Sequence, residues 1–244
     1  MSVALMLLPK LTEIHDQFLS LTHVGREHFA DSLGGKLLLR SGFDADGIAA
    51  VVAASVGGAA SLCIDADAER LRQGLRAGLC DFVVGHLDEA LRILKNELRQ
   101  ARPVSVGLAA DPEPCIGEMI ERGLQPDLLS ALAEGQARIF VGRGAVALPA
   151  DEPHPDTSLI EWTVATDPAK LMPRIARIVS ASLDSARRDT PARRRWLDQS
   201  PRYLGRAFAS RQCLRATDAE IAALLPLVHA EIPSAAITRD GEKR

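Results

Sequence analysis

The chain has only four cysteines, Cys63, Cys80, Cys115 and Cys213, and no two of them form a CxxC pair. Zinc and thiol–disulfide sites need such spacing, so these residues read as buried, reduced thiols. Histidine is equally dispersed: His15, His23, His28, His86, His154 and His229 show no HExxH or other paired spacing, and no metal site is readable. There is no excess of positive charge, with Lys+Arg 29 against Asp+Glu 32 and a formal net charge of −3. That balance argues against an overall polyanion-binding surface, and nucleic acid is not the default partner. Long hydrophobic runs are lacking too. Met1–Pro9 is apolar but short, has no basic residues ahead of it and runs into Lys10, which fits neither a signal peptide nor a membrane span. The expected location is the cytoplasm. What is present is core: 47% of the 244 residues are hydrophobic, enough for one α/β domain with appendages or for two small domains.

The organising stretch is Lys36–Asp67. Lys36–Leu39 reads as a buried strand, Ser41–Gly47 as a tight turn, Ile48–Val56 as a helix and Ala60–Ile64 as a second strand ending at Asp65, a βαβ opening. Ala49, Ala50, Ala53, Ala54 and Ser55 let that helix lie close on a sheet. An acidic residue at the second strand's tip, roughly 20 residues after the turn, is where a dinucleotide fold holds a ribose hydroxyl. The phosphate half of that fingerprint is poor. Only Gly42 and Gly47 stand in the turn, and Asp44 and Asp46 lie where a pyrophosphate would go.

Around this opening, Leu11–Leu33 has a helical rhythm stopped by Gly34–Gly35. Asp67–Leu75 reads as a helix capped by Asp67, Cys80–Val84 as a strand, and Asp88–Arg99 as an amphipathic helix. Val104–Leu108, the helix Pro112–Gly123 and the short strand Asp127–Leu129 continue the alternation. A parallel sheet of five strands over Lys36–Leu129 follows, with right-handed crossovers, helices on both faces and a ligand crevice near Gly42, Asp65 and Gly107. Arg138–Val141 and Leu159–Val164 read as further strands, with a Gly/Pro/Asp loop through Pro149–Thr157. Asp167–Ser182 reads as a helix kinked at Pro173. A basic segment, Ser185–Arg206, precedes a helix over Thr217–Ala230 with a capping box, Thr217 with Glu220. Pro233–Arg244 is expected to fray. The expected organisation is an N-terminal helical segment (1–35), a Rossmann-like α/β domain (36–182) and a basic helical C-terminal extension (183–244).

Each candidate residue has a bland reading beside the sharper one. Asp65 is a strand-end cap or a ribose ligand, and Asp44 and Asp46 are helix caps or contacts to a cationic or hydroxylated ligand. Gly107 is a turn requirement or a point of close approach. The arginines between Arg187 and Arg206 read as a solvated helix face, since Trp196 and Tyr203 alone do not make a stacking platform. Those two aromatics lie seven residues apart and could dock one face of a helix onto the α/β domain or onto a second subunit.

Three ordered strings between Gly78 and Leu129 resemble the central domain of urocanase (urocanate hydratase): Gly-Leu-Cys-Asp-Phe-Val-Val-Gly-His-Leu-Asp-Glu-Ala-Leu, Pro-Val-Ser-Val-Gly-Leu and Glu-Arg-Gly-Leu-Gln-Pro-Asp-Leu-Leu. Arg26-Glu27-His28-Phe29, Leu33–Leu37, and Ile64–Asp67 with Arg70 agree with that family. The resemblance runs from about Arg26 to Leu129. It implies a Rossmann-like domain whose NAD acts as an electrophile on the urocanate imidazole, in histidine metabolism. It also implies adenosine-ribose contacts at Asp65 and Arg70; with the turn and the crevice, the expected cofactor-binding residues are Ser41, Gly42, Asp44, Asp46, Gly47, Asp65, Arg70 and Gly107.

The sequence departs from the family's pattern at three places. Ser41–Ala49 replaces the glycine-rich phosphate turn, Ala109-Ala110-Asp111-Pro112 replaces Gly-Asn-Ala-Ala, and Ser130-Ala131-Leu132-Ala133 stands where Gln-Thr-Ser-Ala-His-Asp is expected. Urocanases are also roughly twice as long, so a short stand-alone homologue is expected, and no catalytic residue carries over. The expected function is a ligand-binding or regulatory homologue without hydratase activity, with NAD weakly held or lost. The alternatives are a urocanase-type lyase using NAD, and a structural or interaction module without a ligand. Expected partners are a small molecule or nucleotide, and a second copy, as a homodimer, or another protein engaged through the C-terminal helices.

Overall fold

A computed structural model describes residues 8–149 and 156–239. Most of Met1–Pro9, most of the 149–157 loop and the last five residues lie outside that description. The chain divides into two compact units, Met1–Asp151 and Glu152–Arg244.

The first unit holds a six-stranded, wholly parallel sheet. Its strands are β1 (Leu37–Ser41), β2 (Ala60–Asp65), β3 (Phe82–Val84), β4 (Ser105–Ala109), β5 (Leu128–Ser130) and β6 (Val146–Ala147), in the order β3-β4-β2-β1-β5-β6. Six helices alternate with them: α1 (Leu11–His28), α2 (Ala45–Gly57), α3 (Ala68–Ala77), α4 (Leu87–Arg99), α5 (Pro112–Glu121) and α6 (Glu134–Gly142). The five expected strands are present, and β6 extends the sheet by one. Arg138–Val141 is a correction, because it lies inside α6 rather than in a strand. Its Phe140 is the only buried side chain of that helix, so the segment rests on the core through one residue and lacks the alternation a strand would show.

Period-two alternation splits the strands into two different faces. Leu37, Leu39, Leu62, Ile64, Val106 and Leu108 point to one side and pack with α4, α5 and α6. The other side carries small residues in register, Ser61 opposite Ser105 and Cys63 opposite Gly107. A Cβ on Gly107 would stand 2.8 Å from Leu71 of α3, so the missing side chain lets that helix lie close on the sheet. Helix α2 contacts β1, β2 and β4, is buried from Gly47 to Gly57 and is covered by α1. That placement between two layers explains its Ala/Val composition, which a surface helix could not have.

The second unit is built on an antiparallel sheet, β8-β7-β9, of β7 (Ser158–Thr163), β8 (Arg211–Ala216) and β9 (Ala236–Arg239). Its helices are α7 (Pro168–Ser182), α8 (Thr190–Tyr203) and α9 (Asp218–Glu231). The helices of the basic extension are therefore present, together with strands beside them. The strand expected at Leu159–Val164 exists, but it pairs with β8 and β9 rather than with the Rossmann-like sheet. Residues 236–239, expected to fray, form the edge strand β9. Helix α7 continues through Pro173. Proline at position 201 removes the amide that would have bonded Leu197 O within α8, and Gln212 Nε2 of β8 donates to that carbonyl instead, at 3.2 Å.

Candidate functional site

In open α/β sheets the ligand crevice lies beyond the carboxyl ends of the strands, where the strand order reverses. Here the reversal falls between β1 and β5, because the chain steps from β1 to β2 on one side and reaches β5 on the other. The candidate residues gather at that edge, and their hydrogen bonds show what each does.

Ser41 ends β1. Gly42 follows at φ 84, a left-handed conformation that glycine adopts without strain. Phe43 then turns inward and is fully buried, its ring filling the space beside Gly74 of α3, where a Cβ would come within 2.3 Å of it. Asp44 caps α2: its Oδ1 accepts from Gly47 N–H at 2.8 Å, and its carbonyl accepts from Ile48 N–H. Asp46 is exposed in the first turn of α2, near the positive end of the helix dipole. Gly47 must be glycine for another reason, since a Cβ there would lie 2.2 Å from Gly42 O.

Asp65 is buried and accepts three hydrogen bonds: Phe43 N–H (2.6 Å), Asp67 N–H (2.7 Å) and Arg70 Nη1 (2.9 Å). Arg70 also pairs with Asp67, the cap of α3. Gly107 is set back in mid-strand, paired with Cys63 and Val83, and Leu71 covers it. The structure therefore groups Ser41, Gly42, Asp44, Asp46, Gly47, Asp65 and Arg70 at one edge and leaves Gly107 inside the packing.

Sequence reasoning missed Arg40. A charged residue that closes a run of three leucines is the signal that marks it. Its side chain is nearly buried and spans the reversal point, donating to Ser130 Oγ (2.8 Å) of its β5 register partner, to Gly42 O (3.2 Å) and to Asp44 Oδ1 (3.2 Å). Cys63 Sγ donates to the same Gly42 carbonyl. Burial pushes the Cys63 thiol far above its usual range, against a smaller opposing pull from Arg40, so it stays protonated. Burial likewise pushes Cys80 up to about 11. Asp111 caps α5 as Asp44 and Asp67 cap α2 and α3, so three helix N-termini along the sheet each carry a carboxylate of the chain's own. After β5 comes Ala131 at φ 52, in the stretch that replaces the family's Gln-Thr-Ser-Ala-His-Asp. Among the described residues no group of three or more His, Cys, Asp or Glu could hold a metal ion, and no helix is long and apolar enough to cross a membrane.

The basic segment resolves differently from the solvated face it resembled. Arg194, Arg195, Arg202 and Arg206 are exposed, but Arg193 is fully buried and bidentate on Glu220 (2.7 and 3.1 Å). Trp196 is spent within its own unit, its Nε1 donating to Cys213 O of β8.

A parallel, doubly wound sheet with its crevice at the β1/β5 reversal defines a Rossmann-like domain. The family model of the urocanase Rossmann-like domain matches residues 14–135, half of the 244-residue chain, and the chain belongs to the urocanase family. In that family the domain is associated with NAD binding.

Proposed function

We propose that this protein is a urocanase-family member that has given up NAD and urocanate hydration, and that it serves as a ligand-binding or regulatory homologue. The observation that carries this is the Asp44 carboxylate seated on the N-terminus of α2, where a pyrophosphate would otherwise bind. A phosphate there would gain about 0.3–1 kcal/mol from the exposed helix dipole. A carboxylate about 4 Å away would oppose it by about 1 kcal/mol in bulk water and about 4 kcal/mol at an effective dielectric of 20. Arg40, 3.2 Å from Asp44 Oδ1, offsets part of that repulsion, but the carboxylate also occupies the Gly47 N–H that a phosphate would bond, and Asp46 adds its own charge. Asp65 is buried under three donors, which leaves a ribose hydroxyl little to bond. A dinucleotide therefore does not fit these residues as they stand.

The catalytic side supports the same reading. Alanine and leucine at 131–133 offer no proton-transfer group, and Ser130 Oγ is engaged by Arg40. Each missing catalytic interaction costs orders of magnitude in rate. Calorimetric titration of the full chain with NAD, run beside an assay of urocanate absorbance, tests the proposal. We expect no saturable heat up to about 1 mM NAD and no NAD-dependent loss of absorbance. Micromolar NAD binding, or turnover by the purified chain, would overturn it. Binding that appears only in the Asp44→Gly, Asp46→Gly double variant would support the electrostatic reason.

A further inference from the structure

The second unit contains a cavity of about 570 Å³ bounded by α7, α8, the turn through Phe208 and the start of β8. Met172, Leu197, Leu204 and Phe208 give it apolar walls, and Gln212 lies among its lining residues. A volume of this size accommodates a small organic ligand.

The charge of the lining states what chemistry the ligand needs. Arg177 and Arg194 line the cavity from exposed positions, and neither has a carboxylate within ion-pair distance among the described residues; their only bonds are to Pro173 O, Ser180 O and Ser185 Oγ. Arg211, also in the lining, is neutralised by Glu161. Asp198 is the single lining carboxylate, so the cavity keeps a positive excess.

We propose that this cavity binds an amphipathic carboxylate. Its carboxylate lies at the mouth on Arg177 and Arg194, and its apolar body lies along Met172, Leu197 and Phe208. Arginine suits this role because its planar fork meets a carboxylate with two parallel hydrogen bonds. The residues lining the site all belong to the second unit.

The test is calorimetric titration of the full chain with decanoate and 1,10-decanediol, with tryptophan emission followed in parallel. Both tryptophans of the chain, Trp162 and Trp196, belong to this unit, and Trp162 is the cross-strand partner of Gln212. We expect saturable 1:1 binding of decanoate below about 1 mM. The diol should bind at least about 10-fold more weakly for want of the charge. The Arg177→Met, Arg194→Met double variant should bring the acid down to the diol's affinity while leaving the diol unchanged. Ala176→Phe, which fills the cavity, should abolish binding of both while the circular dichroism spectrum stays folded. The proposal is overturned if the folded chain binds no acid below about 1 mM, if acid and diol bind alike, or if binding survives Ala176→Phe.

Discussion

Glu220 shows how much one buried residue can hold. Burial is the strongest single influence on its carboxyl and works against ionisation. The hydrogen bonds from Arg193, Thr217 N–H and Asp184 N–H together outweigh it and hold the pKa down to about 2. Because the folded pKa lies below the unfolded one, the stabilisation is complete above the unfolded value of 4.5 and is lost as pH falls from there toward 2. That difference corresponds to about 3 kcal/mol. We expect the Glu220→Gln variant to lose that pH dependence between about pH 5 and 2 in urea-unfolding titrations. At neutral pH it should be about 3–5 kcal/mol less stable, since it leaves the buried Arg193 guanidinium without its counter-charge. A variant whose unfolding free energy falls with acid as steeply as that of the unmodified chain would refute the assignment.

Among the elements, α2 and α3 are held close to the sheet by absent side chains. Gly74 meets the Phe43 ring, Gly107 meets Leu71, and Gly47 meets the Gly42 carbonyl. These contacts differ in what can yield. A Cβ at position 47 strikes backbone, whereas one at 74 strikes a buried ring. Both Gly47→Ala and Gly74→Ala should lower stability by about 1–3 kcal/mol, the usual cost of overpacking. Joining Gly74→Ala to Phe43→Leu should recover part of the loss, while Phe43→Leu should not rescue Gly47→Ala. Chemical denaturation of the four variants separates the two cases, and equal rescue of both would show that the clash at Gly47 is not with backbone.

Over the whole molecule, two cores of different construction share one chain: a parallel sheet covered by helices, and an antiparallel three-stranded sheet with α7, α8 and α9. Both tryptophans are buried in the second unit, so their emission reports its unfolding alone, whereas far-ultraviolet circular dichroism reports both units. We expect Glu220→Gln to shift the fluorescence midpoint to lower temperature while most of the dichroism change stays where it was. Coincident shifts by both probes would show that the chain unfolds as one cooperative unit.

Local rules wrote much of both units directly into the sequence. Asp67 and Asp111 cap their helices, Thr217 and Glu220 form the capping box, and Gly78 ends α3 at φ 75, all by bonds within a few residues. The strand–helix alternation that defines the parallel sheet is legible for the same reason, as are the two acids that stand in the phosphate turn. The tertiary structure alone decided that Arg193, among so many arginines, would be buried on Glu220, 27 residues away. It also decided that Arg40 would bridge to Ser130, 90 residues away, and that the strand at 158–163 would join a second sheet. A side chain's burial and a strand's partner depend on which distant segments pack beside it, and a periodic pattern carries no record of that choice.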